Sequence, residues 1–201
     1  MKMKGVLVFL FVLAGLLLLT GPPAYADVFT GSDGFGSTFT LTSNCGASND
    51  CAVTLAINTA GVSASLTDIS AVAFKIGSTD TFGGILTPPN GTWNTSNDSL
   101  SNGGCGSNGD NQICSEAATT SDYAATGGIL PLTWTWTDVQ VDQDVINHVG
   151  YKYNNAGGTL NGHIVSIDDS NTTPMPEPTS LSLLFLGLMG AAGLTRLRRQ
   201  T

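Results

Sequence analysis

Leu130, Leu132, Trp134 and Trp136 occupy every second position, with Thr133, Thr135 and Thr137 among them, and this alternation constrains the chain more than any other feature. A period of two sends one set of side chains to a core and the other to water, as a strand does and a helix does not. Phe39 and Leu41 among threonines repeat the pattern, as do Val53, Leu55 and Ile57, and Val72, Phe74 and Ile76. β-Branched and aromatic residues suit a pleated, half-buried surface. Gly, Asn, Ser and Asp fill the gaps, and no stretch of the body joins a helical period to caps. Short strands parted by turn signals predict an all-β fold, an antiparallel β-sandwich. Residues 87–122, with Pro88-Pro89-Asn90-Gly91 and Ser101-Asn102-Gly103-Gly104-Cys105, read as one long polar loop that needs a tether.

Both ends differ from this body. Lys2 and Lys4 precede an apolar run, Pro22-Pro23 breaks it, and Ala24-Tyr25-Ala26 offers a small-x-small cleavage site. Basic start, apolar centre and small-residue site in that order predict a signal peptide over residues 1–26 with an N-terminal signal helix. The sandwich is expected over 27–170, a proline-rich linker over 171–178, a transmembrane helix over 179–195 and a basic cytoplasmic tail over 196–201.

Removing the ends changes the charge. All 15 acidic residues lie between Asp27 and Glu177, against only Lys75 and Lys152, so residues 27–178 carry −13 where the whole chain carries −8. Such a body repels phosphate backbones, which sets nucleic acid aside as a partner. Solubility outside the cell is the plain reading of the acidity.

The four cysteines are Cys45, Cys51, Cys105 and Cys114. An even count in an exported chain favours disulfides over metal ligation. Three pairings exist. The short polar stretches enclosed favour Cys45–Cys51 and Cys105–Cys114, each worth about 2–3 kcal/mol on loop closure.

The end of the body reads as a hairpin, residues 145–153 and 159–167 flanking Asn154-Asn155-Ala156-Gly157. It holds both histidines. A register pairing Tyr153 with Gly158 sets His148 opposite His163, and with Asp142 or Asp144 near, two imidazoles would suit a metal ion. A one-residue slip sends them to opposite faces. Two solvent-facing histidines and no metal or other cofactor is the favoured reading. Trp93, in a polar segment, is the candidate for stacking on sugar rings, with capping the sandwich edge as the alternative. No Gly-x-Ser-x-Gly elbow occurs and no spacing selects two carboxylates for sugar hydrolysis, so the expectation is a protein without catalytic residues.

The C-terminus is the most specific part. Pro174-Met175-Pro176-Glu177-Pro178 is stiff and extended, 17 uncharged residues follow to Thr195, and Arg196, Arg198 and Arg199 close the chain. As a helix, such a span reaches roughly 25 Å, and positive residues stay on the cytoplasmic side. Pro176, Glu177 and Pro178, the apolar span and the arginines in this order resemble the PEP-CTERM sorting signal of Gram-negative bacteria. The resemblance covers residues 175–201. It implies recognition through Pro176, Glu177 and Pro178 by exosortase, a membrane cysteine transpeptidase. The span and the basic stop Arg196, Arg198 and Arg199 would halt the chain in the membrane until cleavage. It also implies a link with exopolysaccharide and biofilm, hence extracellular polysaccharide as a partner. The expected product is an exported protein, anchored outside the inner membrane before processing and then placed at the cell surface or in the matrix. A secreted carbohydrate-binding module is the alternative reading.

Overall fold

The computed structural model describes residues 25–46, 50–77, 80–107, 112–128, 130–141, 146, 148–155 and 163–168. The signal segment up to Ala24, the linker, the sorting motif, the expected transmembrane helix and the arginines lie outside the described residues.

Period-two alternation builds two antiparallel sheets. The first runs β1 (Tyr25–Ser32), β2 (Thr38–Cys45), β3 (Asp50–Asn58), β12 (Leu132–Gln140) and β5 (Thr81–Phe82), with β6 (Leu86–Thr87) also on β12. The second runs β14 (Ile164–Asp168), β13 (His148–Asn155), β4 (Leu66–Lys75), β10 (Ile113–Ala117) and β7 (Trp93–Ser96), with β11 (Ala124–Ala125) on β4. A separate hairpin pairs β8 (Ser99–Ser101) with β9 (Gly104–Ser107). Among the described residues, one 3-10 turn spans Thr120–Asp122. Every strand pairing among the described residues is antiparallel.

The two sheets share one core. Phe39, Leu41, Leu55, Ile57, Trp134 and Trp136 meet Ile69, Val72, Phe74, Ile113, Tyr151 and Tyr153. Ring contacts cross between sheets: Phe74 to Trp136 at 4.7 Å, Trp93 to Trp134 at 5.3 Å and Phe39 to Tyr151 at 6.3 Å, all edge to face. Edge-to-face rings place the positive rim of one on the negative face of the next, worth about 0.5–1.5 kcal/mol each beyond burial. The alternation of β12 survives a bulge between Trp136 and Val139, where Asp138 adopts a φ of 57°. The extra residue restores phase, so Val139 and Val141 continue the buried row of Leu132, Trp134 and Trp136.

Two expectations need correction. Residues 87–122 are not one loop, because β7, β8, β9 and β10 lie within them. These strands are three to five residues of mostly Ser, Gly, Asn and Cys, too short and polar to alternate visibly. The hairpin register also differs: Val149 pairs with Ile167, Tyr151 with Val165, and His148 with Asp168. Tyr153 N–H donates to the His163 carbonyl at 2.9 Å rather than meeting Gly158. Burial favours this register, which sets Val165 and Ile167 opposite Tyr151 and Val149, where the expected one would have set Leu160 and Gly162. β1 begins at Tyr25 and pairs Ala26 with Asn44. Asp27, in that strand, accepts the Ile146 N–H at 3.2 Å.

Candidate functional site

Both expected disulfides are present, Cys45–Cys51 and Cys105–Cys114, and they do different things. Cys45 and Cys51 are direct partners in the β2–β3 ladder, so that bond closes a hairpin already closed by its strands. Cys105 lies on β9 and Cys114 on β10, so the second bond ties the β8–β9 hairpin to the second sheet.

That hairpin covers a patch on the outer face. Ser115 turns inward to accept the Trp136 Nε1–H at 2.9 Å, which sends Cys114 and Glu116 outward. Cys114 stands beside Ala73 and Glu116 beside Ala71 on β4, and Gly150 and Lys152 follow on β13. These small side chains leave room for the hairpin. A Cβ added at Gly150 would lie 3.2 Å from Leu100 Cδ2. The Cys105 N–H donates to Glu116 Oε2 at 2.9 Å, and the Lys152 Nζ donates to the Asn102 carbonyl at 2.6 Å. Lys152 is therefore a buried cation beneath a tethered flap, 1% exposed. Burial lowers its pKa, and the nearby Glu116 charge opposes that shift.

At one end of the sandwich a second polar cluster joins the two sheets. Asp33 follows β1, and its Oδ1 accepts the N–H of Phe35 at 2.8 Å and of Ser37 at 3.1 Å. Its Oδ2 accepts the Ser37 hydroxyl at 2.6 Å and the Tyr153 hydroxyl at 2.9 Å. Ser37 Oγ also lies 2.9 Å from the Tyr151 hydroxyl. Burial alone would raise the Asp33 pKa, but the bonds from Ser37 Oγ, Phe35 N, Tyr153 OH and Ser37 N outweigh it and hold the carboxyl below its usual 3.8. Tyr151 and Tyr153 are pushed well above the usual phenol range, chiefly by burial, with the Asp33 charge adding to it.

Sign follows from linkage. A depressed carboxyl contributes stability that is present above its unfolded value and lost as pH falls through the folded value. Asp33→Asn is expected to lower stability by about 1–2 kcal/mol at neutral pH, for lost charge-assisted hydrogen bonds at a half-buried site. In acid, as pH falls below 3.8 and through the lowered folded value, the two proteins should converge. Urea melts at both pH values check this; equal curves at neutral pH would show that the cluster holds nothing.

The other singled-out residues fall apart from one another. His148 is half-buried and its Nδ1 lies 2.8 Å from Asp168 Oδ1. His163 is exposed and stacks on Phe35 instead, 5.1 Å between centroids. The two histidines thus form no shared site. No group of three potential metal ligands occurs among the described residues, and Asp142 and Asp144 lie outside them. Trp93 is no exposed sugar platform: it is 8% exposed, packs edge-on against Trp134, and its Nε1–H donates to the Asp122 carbonyl at 3.1 Å. A cleft of about 410 Å³ is lined by Pro89, Tyr123, Pro131 and Leu132 among others, and Trp93 is not part of its lining.

Sequence reasoning passed over Asp33, Phe35, Glu116 and Lys152. Asp33-Gly34-Phe35-Gly36-Ser37 carried a signal, an Asp opening a Gly-x-Gly turn. Lys152 carried one too, as a charge between the core residues Tyr151 and Tyr153, though only the flap explains it.

Fold and sites together define a disulfide-stapled, antiparallel β-sandwich with a covered outer patch and a hydrogen-bonded turn at one end. No family model, curated protein or solved structure matches the chain.

Proposed function

We propose that this is an exported, non-enzymatic protein of the cell envelope or extracellular matrix, sorted by its C-terminal signal and associated with extracellular polysaccharide. The observation that carries the reading is Pro176-Glu177-Pro178, an apolar span and Arg196, Arg198 and Arg199 in fixed order. Its expected processing partner is an exosortase-type membrane transpeptidase, with the arginines on the cytoplasmic side. Two disulfides and no free cysteine among the described residues support an oxidising compartment. The remaining −13 charge keeps such a body soluble outside the cell.

Sorting is testable in the host. Glu177→Ala is expected to leave the protein in the membrane fraction with its tail attached, while the wild type loses the tail. The mass of the recovered protein and its fraction decide it. An unchanged mass and location in the variant would remove the exosortase reading.

A further inference from the structure

We infer that Phe35 is the stacking platform of a glycan-binding site that takes neutral or amino-substituted sugar rings. The ligand class rests on the extracellular-polymer reading above, while the geometry stands apart from the sorting tail. Three large hydrophobic side chains are exposed among the described residues: Val28 at 41%, Phe35 at 37% and Ile85 at 71%. Val28 and Ile85 are aliphatic. Phe35 alone of the three offers a π face.

Its turn is built to hold that ring still. Asp33 receives four hydrogen bonds, two of them from Phe35 N–H and Ser37 N–H on the turn itself. Gly34 and Gly36 flank the ring with φ of 78° and 102°, conformations that a side chain would strain. A Cβ on Gly36 would collide with the Gly61 carbonyl oxygen, so the turn is seated closely on the next loop. Tyr153 meets the ring edge-on at 6.1 Å and His163 lies tilted against it at 35°. An apolar ring that is rigidly held, with Tyr153 at its edge and His163 against one side, costs little entropy on binding.

Chemistry then selects the occupant. The C–H face of a pyranose carries partial positive charge and fits the negative face of an aromatic ring. An ammonium substituent adds a cation–π term and is drawn by the Asp33 carboxylate and the −13 body. The same field repels a uronate.

Calorimetry on the mature protein recovered after export tests this, with short oligomers of glucose, glucosamine and glucuronate as probes. The expected order is glucosamine tightest, then glucose, then glucuronate. Phe35→Ala should weaken binding about tenfold or more, and Phe35→Trp should retain it. Both variants should melt with the wild type and be processed at the tail like it. Absence of wild-type binding to all three oligomers would overturn the inference, as would unchanged binding by Phe35→Ala or equal binding of glucuronate. A protein that is sorted but binds no glycan removes this inference alone; one that binds but keeps its tail removes the sorting reading alone.

Discussion

Trp136→Ala is expected to destabilise the body by about 3–5 kcal/mol and lower its melting midpoint by roughly 10–15 °C. The indole is fully buried, meets Phe74 at 4.7 Å and donates to Ser115 Oγ at 2.9 Å. Its removal takes away transfer energy and opens a cavity between two sheets whose backbones are fixed by ladders. The phenylalanine variants separate packing from hydrogen bonding. Trp136→Phe loses a buried hydrogen bond, but Ser115 keeps Thr95 Oγ1 at 2.8 Å, so the further cost of the lost bond is about 1 kcal/mol. Trp134 differs, because its buried Nε1–H has no hydrogen-bond partner among the described residues. Trp134→Phe therefore removes an unsatisfied donor along with volume, and the two effects oppose each other. Urea unfolding should rank Trp134→Phe as the milder change. A Trp136→Ala loss under 1 kcal/mol would mean that the sheets do not face each other through this residue.

The contrast between these tryptophans and Trp93 shows which parts of the fold were legible. Trp134 and Trp136 declare their burial because threonines mark the opposite face of a nine-residue strand. Trp93 opens a four-residue strand of Asn, Thr and Ser, and its burial depends on β10 beside it and on Asp122, 29 residues away. No local period encodes that. The cysteines were legible for a related reason: both bonds close short stretches, and proximity in sequence enforces proximity in space. The histidines were not, since their facing depends on register, and register is settled by whether Val165 and Ile167 or Leu160 and Gly162 lie opposite Tyr151 and Val149. Val72 and Phe74 announced the inner face of β4. Ala71 and Ala73 gave no hint that the outer face is buried as well. That fact belongs to a hairpin some 30 residues on, and with it goes the meaning of Lys152.

Replacing both Cys105 and Cys114 with serine should cost more than replacing Cys45 and Cys51, although loop closure alone makes the pairs nearly equal. Sequence separations of 9 and 6 give about 2.7 and 2.4 kcal/mol. The difference lies in what remains after each bond is gone. Cys45 and Cys51 stay opposite one another in a ladder that continues from Asn44 with Ala52 to Thr38 with Asn58. The β8–β9 hairpin has three paired positions of its own, and its other anchors include the Cys105 N–H to Glu116 and Lys152 to Asn102. Without the tether these contacts must hold the flap alone over the small-residue patch. Losing it exposes Ala71, Ala73 and Gly150 and brings the Lys152 ammonium into water. The ammonium gains hydration on release, which favours opening. The expected result is a drop of about 3 kcal/mol and fast acylation of Lys152 by an amine-reactive reagent under native conditions. The Cys45 and Cys51 double variant should lose about 1–2 kcal/mol and leave Lys152 slow. Lys152→Met in the oxidised protein should be neutral or stabilising, because an apolar chain of similar length fills the same space without a charge to desolvate. Mass spectrometry of the labelled peptide reads the first effect and thermal melts the second. Rapid labelling of Lys152 with both disulfides intact would show that the flap does not cover it.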